Sequence, residues 1–165
     1  MKRTILTLPL LVAAAVGCGD NGSSDAASTA ESAPKPVAAA QAKAKKRTGK
    51  RVTLHGSDYG RILADGRGRA LYLFTHDDGE SRCYGECARA WPPLITRGAP
   101  RAGDRVKRKL LGTVRRKDGK KQVTYNGHPL YYYVDDDEPG EVLCQAVLEY
   151  GGYWYVVKRS GEPVK

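Results

Sequence analysis

A ten-residue pattern occurs twice in this chain. Gly68-Arg-Ala-Leu-Tyr-Leu-Phe-Thr-His-Asp77 aligns without gaps on Gly127-His-Pro-Leu-Tyr-Tyr-Tyr-Val-Asp-Asp136, so Gly-x-x-Leu-Tyr-x-aromatic-x-x-Asp repeats at a spacing of 59 residues. A repeated supersecondary unit leaves its apolar face open until a neighbouring copy covers it. The chain is therefore constrained to a fold built from two related halves. Both halves carry β chemistry. The first reads as a strand over 61–64, a turn at Asp65-Gly66 and the motif strand. The second reads as strands over 111–114 and 122–125 around Asp118-Gly119, with Asn126-Gly127 leading into the motif.

Within the motifs, Leu71-Tyr72-Leu73-Phe74 and Leu130-Tyr131-Tyr132-Tyr133 hold large or branched residues at every position, the pattern of central strands covered on both faces. A further hairpin is expected where Gly151-Gly152 joins 147–150 to Tyr153-Trp154-Tyr155-Val156-Val157. A short helix is expected over 85–90, stopped by Pro92-Pro93. The fold class that follows is mostly β: a small antiparallel domain of two related repeats with a short helical insert. All ten Tyr, both Trp and the single Phe lie between Tyr59 and Tyr155, which places this domain at 51–165.

The first fifty residues read as an address and a tether. Met1-Lys2-Arg3 is basic, the twelve residues from Ile5 to Val16 are largely apolar, and Ala15-Val16-Gly17-Cys18 closes the run. Twelve residues fall short of the roughly 20 that cross a bilayer as a helix, so residues 1–17 read as a signal peptide. The closing tetrapeptide resembles a bacterial lipobox, although Ala15 stands where Leu is usual. That resemblance implies a diacylglycerol thioether on Cys18, which would become the mature N-terminus and anchor the protein to the membrane. Residues 18–50 are rich in Ala, Ser, Gly, Lys and Pro, contain no aromatic residue, and cannot bury enough apolar surface to order themselves. They read as a disordered tether with a reach on the order of 30 Å.

At its motifs the chain resembles the bacterial secreted-repeat lipoproteins of unknown function with the Tyr-x-(Phe/Trp/Tyr)-x-x-Asp pattern. Tyr72, Phe74 and Asp77 match one copy of that pattern, and Tyr131, Tyr133 and Asp136 match the other. Cys83-Tyr-Gly-Glu-Cys87-Ala-Arg-Ala-Trp91-Pro-Pro-Leu94 and Gly151-Gly-Tyr-Trp154-Tyr-Val-Val157 match as well. The resemblance implies an exported, usually lipid-anchored β domain on the extracytoplasmic face of the membrane, and no established activity.

The motif aspartates have a structural explanation. A carboxylate just past a strand accepts turn N–H groups, and a Tyr five residues earlier offers a hydroxyl. The functional alternative is a cation on Asp77 and Asp78, or on Asp135, Asp136, Asp137 and Glu138, but no EF-hand spacing accompanies them. With Cys18 used by the anchor, Cys83, Cys87 and Cys144 share an oxidising compartment. One disulfide among the three is expected, with its pairing open and one thiol left over. A different class of function, metal binding or electron transfer, would use these thiols with His55, His76 or His128. The aromatic residues read as core before they read as a stacking platform. No hydrolase, P-loop, dinucleotide or zinc-protease signature is present, so no cofactor and no catalytic residue is expected and the protein reads as a non-enzyme that binds or scaffolds.

The charge adds a partner. The formal net charge of +10 hides eleven Lys and Arg over 97–121 against Asp104 and Asp118, and five carboxylates over 135–141. On an exported chain a basic stripe meets anionic envelope polymer or lipid and not nucleic acid. A solubilising charged loop is the plainer reading of the same residues. No motif names a protein partner.

Overall fold

The computed structural model describes residues 48–165, so the expected signal peptide over 1–17, the expected lipidation site at Cys18 and nearly all of the expected tether over 18–50 lie outside the described residues. The described chain is mostly β. Strands β1 (Arg51–Ser57), β2 (Gly60–Asp65) and β3 (Tyr72–Phe74) precede helix α1 (Glu86–Ala90) and the short strands β4 (Ile95–Thr96) and β5 (Arg101–Ala102). A 3-10 turn at Arg108–Leu110 leads to β6 (Leu111–Arg115), β7 (Lys121–Tyr125), β8 (His128–Pro129), β9 (Val147–Glu149) and β10 (Gly152–Val156). Three small sheets result, ordered β2-β1-β5, β3-β10-β9 and β4-β7-β6 with β8 on β7. Every pair among them is antiparallel except β1 with β5.

The turns follow from local chemistry. Asn126 and Gly127 both take positive φ, the primed turn whose twist matches antiparallel strands. The β9–β10 hairpin turns one residue earlier than its Gly-Gly pair predicts: Tyr150 and Gly151 hold the positive φ values, and Gly152 is the first residue of β10. The reason is close approach, since a Cβ on Gly152 would lie 2.8 Å from the Phe74 ring and 2.9 Å from His76.

The two halves obey the same hydrogen-bond rules. Leu71 N–H donates to Leu63 O at 3.0 Å in the first, and Leu130 N–H donates to Val123 O at 2.9 Å in the second. Each inner strand is then completed by the other half. Leu63 N–H donates to Val157 O at 2.8 Å, and Val123 N–H donates to Leu94 O at 2.9 Å. At the centre Tyr72 and Tyr131 exchange backbone bonds, 2.9 Å one way and 3.0 Å the other. The repeats are interlocked by their last segments rather than stacked.

This exchange explains a departure from expectation. The first motif forms β3, paired with β10 through Phe74↔Trp154, Leu73↔Tyr155 and Tyr72↔Val156. The second motif was expected to be a strand, but beyond β8 it holds only isolated bridges from Tyr131 to Tyr72 and Pro93. The segment facing it carries Pro92 and Pro93, which have no N–H to return. Tyr132 donates to Pro92 O at 2.9 Å and Val134 to Ala90 O at 3.0 Å, leaving a one-sided ladder. Two buried clusters sit on either side of this seam. One gathers Val52, Leu63, Leu71, Leu73, Leu94, Val123 and Leu130, and the other gathers the motif aromatics with both Trp.

Candidate functional site

The motif residues of the two copies meet, and they meet crosswise. Tyr72, from the first motif, donates its hydroxyl to Asp136 Oδ2 of the second at 2.6 Å. Tyr131, from the second, donates to Asp77 Oδ2 of the first at 2.8 Å. Each aspartate uses its other oxygen to hold the loop that follows: Asp77 Oδ1 accepts Arg82 N–H at 2.8 Å, and Asp136 Oδ1 accepts Leu143 N–H at 2.9 Å. The spacing of Tyr and Asp therefore serves a contact between repeats that one repeat alone does not reveal. Tyr72, Tyr131 and Asp136 are fully buried. Burial pushes the Asp77 carboxyl up to about 6, against the Arg82 N–H and Tyr131 hydroxyl that hold it down. Burial likewise raises Asp136 and both tyrosines.

The aromatic positions repeat the crossing. Phe74 stacks on Trp154 of the other half, with centroids 4.1 Å apart, and Tyr133 tilts against Trp91 at 4.8 Å. Trp91 and Trp154 stack on each other at 4.1 Å, so three rings form one column, with Tyr72 and Tyr131 set edge-on at 5.1 Å each. The indole N–H of Trp91 donates to Glu149 Oε2 at 2.9 Å. With both Trp at 0% exposure, this column is core and offers no stacking surface.

Four residues that sequence reasoning did not single out for the site complete it. Arg116 belongs to the basic stretch over 97–121, whose two readings, a docking stripe and a solubilising loop, both expect it exposed, yet it is buried. Its guanidinium donates to Gln122 Oε1 at 2.7 Å, to Cys83 O at 2.8 Å and to Ser81 Oγ, and it lies 4.3 Å over the Tyr84 ring. Ser81 Oγ in turn meets the Tyr131 hydroxyl at 2.8 Å, which links Arg116 to the motif pair. Asp65 makes a third Tyr–Asp contact, accepting Tyr132 OH at 3.0 Å and the N–H groups of Arg67 and Arg69. Arg116 directly follows β6 in a run of cations, so nothing in the sequence marks it as the one turned inward.

Cys83 and Cys87 form the disulfide, and Cys144 is free. Only Cys87 lies within α1, so the pair is not held at regular helical spacing. Burial raises the Cys144 thiol above its ordinary pKa. Among the described residues no three His, Cys, Asp or Glu side chains converge as metal ligands. The acidic cluster over 135–141 does not act as a single surface, because Asp136 points inward and Glu141 accepts the N–H groups of Asp137 and Glu138. Among the described residues no helix is long and apolar enough to cross a membrane.

Two surface features remain. Arg115 and Lys121 are directly opposed on β6 and β7, and Arg51 and Arg101 on β1 and β5, all four exposed. Among the described residues none of these four, nor Lys50, Arg97 or Arg108, has a carboxylate within 4.0 Å. An open cleft of about 410 Å³ between Arg108 and Lys121 runs along this region beside 98–100. A second cleft, of about 420 Å³, opens over Asp77, Tyr153 and Tyr155.

A family model described as a secreted repeat of unknown function matches the chain twice, over residues 54–95 and 112–158. Each match ends beside one of the two exchanged segments. No curated protein and no solved structure matches the chain.

Proposed function

The chain belongs to this family of secreted repeats of unknown function, and on that premise we propose that it is a non-catalytic, extracytoplasmic binding module, lipid-anchored at Cys18, that docks on anionic envelope polymer. The observation that carries the reading is the cross-strand placement of like charges, Arg115 opposite Lys121 and Arg51 opposite Arg101. Like charges directly opposed on neighbouring strands are destabilising. A polyanion laid across them removes that repulsion and gains long-range steering. The tether supplies the reach to a polymer lying away from the lipid surface.

Binding of the full mature chain to soluble poly(glycerol phosphate), followed by fluorescence anisotropy at rising salt, tests the docking. The expected result is affinity that falls steeply with ionic strength and is lost in an Arg115→Glu/Lys121→Glu double variant. Binding that persists unchanged at high salt overturns the reading. Preference for phosphatidylglycerol vesicles over the polymer assigns the face to lipid instead. Mass spectrometry of the mature N-terminus tests the anchor, and an unmodified terminus beyond Cys18 removes it.

A further inference from the structure

The cleft over Asp77 shares no residue with the basic cluster. Its floor and walls alternate in chemistry. Tyr153 and Tyr155 are two apart on β10 and point away from the Trp154 core, with rings 5.9 Å apart and 28° from parallel. Tyr153 is 43% exposed, while Tyr155 is half-buried and packs against the aliphatic core cluster, so the platform is one open ring backed by an anchored one. Asp77, Glu162, His128 and Thr75 also line the cleft, and the Thr75 hydroxyl accepts the Tyr153 N–H at 2.8 Å. The cleft, at about 420 Å³, has the size of a small-ligand site.

The mixture of groups selects the ligand class. A site for a free cation would surround the aromatic pair with carboxylates alone, but Lys165 also lines this cleft, as does His128. A site for an anion would not place Asp77 and Glu162 at its walls. Acceptors and donors of both signs around flat aromatic faces suit a neutral molecule with an apolar face and a rim of hydroxyl groups. Tyrosine supplies such a face with little conformational entropy to lose on binding. Asp77 is also held in place for this work: Tyr131 and the Arg82 N–H fix both oxygens, so the carboxylate presents its remaining acceptor capacity in one orientation. We propose that this cleft binds a neutral saccharide, with Tyr153 and Tyr155 as the stacking platform and Asp77, His128 and Glu162 as hydrogen-bonding partners of its hydroxyls.

The test is NMR titration of the full mature chain with three neutral hexasaccharides: β-1,4-linked N-acetylglucosamine, maltohexaose and cellohexaose. The expected result is saturable movement of Tyr153, Tyr155 and His128 resonances with at least one of them. Tyr153→Ala should weaken that binding about tenfold, the scale of one well-placed aromatic contact. Because the Tyr153 ring is exposed and its one aromatic partner is Tyr155, this variant keeps the fold, and an unchanged amide spectrum elsewhere checks it. The Arg115→Glu/Lys121→Glu variant should bind the saccharide as before, which separates this site from polyanion docking. No saturable shift with any of the three at about 10 mM, well above millimolar affinity, overturns the proposal. So does binding that Tyr153→Ala leaves intact, or movement of these resonances by poly(glycerol phosphate) alone.

Discussion

Removing the Tyr72 hydroxyl is the sharpest probe of the interlocked repeats. Tyr72→Phe deletes a 2.6 Å charge-assisted bond and leaves Asp136, fully buried, with the Leu143 N–H as its remaining donor. A bond to a charged group contributes about 1.5–3 kcal/mol, and the stranded acceptor places this case toward the upper end. We expect a loss of about 2–3 kcal/mol, or a fall in Tm of roughly 8–15 °C for a domain of this size. Tyr131→Phe should cost about 1–2 kcal/mol, because Asp77 is only partly buried and water can replace its lost donor, while the buried Ser81 hydroxyl keeps Arg116 as a partner. Thermal and urea unfolding at pH 7.5 measure both. A double-mutant cycle then assigns the contact. Tyr72→Phe with Asp136→Asn should show coupling above about 1 kcal/mol, whereas Tyr72→Phe with Asp77→Asn should be additive to within about 0.5 kcal/mol. Coupling of Tyr72 to Asp77 of its own motif refutes the crossed arrangement.

Four further outcomes are expected. Because burial raises Asp77 to about 6, the native state binds a proton that the unfolded chain has released, so this group's contribution is full below about pH 4 and is lost as pH rises through 6. The loss is on the order of 3 kcal/mol, and a carboxyl-carbon NMR titration with a midpoint below about 4.5 contradicts it. Neither 51–96 nor 111–165 alone should give a cooperative melt by near-UV circular dichroism, since each lacks the segment that completes its inner strand; a folded fragment defeats the interlock. Replacing Cys83 and Cys87 with Ser should cost about 2 kcal/mol, the loop-entropy value for so short a ring, and leave the fold intact; collapse of the near-UV spectrum in the variant argues otherwise. Arg116→Lys should cost about 2 kcal/mol because a single ammonium cannot serve the Ser81, Gln122 and Cys83 acceptors together, and a neutral result in urea unfolding removes Arg116 from the core.

The sequence spoke clearly where one rule acted alone. Asn126-Gly127 and Gly119 marked turns because few other residues tolerate their positive φ, and the Pro92-Pro93 stop placed the end of α1. The motif residues were visible as a repeat, as was the aspartates' role in holding loop N–H groups. What one copy could not show was which copy each Tyr serves, since the spacing inside a motif is the same whether its partner lies within or across the repeats. The second motif looked as strand-like as the first, and only the prolines on the facing segment separate them. Cys83 and Cys87 were close in sequence, but the geometry that joins them depends on Cys83 standing outside the helix. Arg116 was hidden for a different reason: burial of one cation among eleven depends on Ser81 and Cys83 arriving from the first half to join Gln122 of the same hairpin.

The interlock also sets a schedule. Leu63 waits for Val157, 94 residues later, and Trp154 is the ring that closes the column over Phe74. During synthesis the first repeat therefore emerges without the strand that completes it. Contacts of such long sequence separation form slowly. For a secreted chain this delay is an asset, because a polypeptide that closes only on its last strand stays extended long enough to be threaded across a membrane.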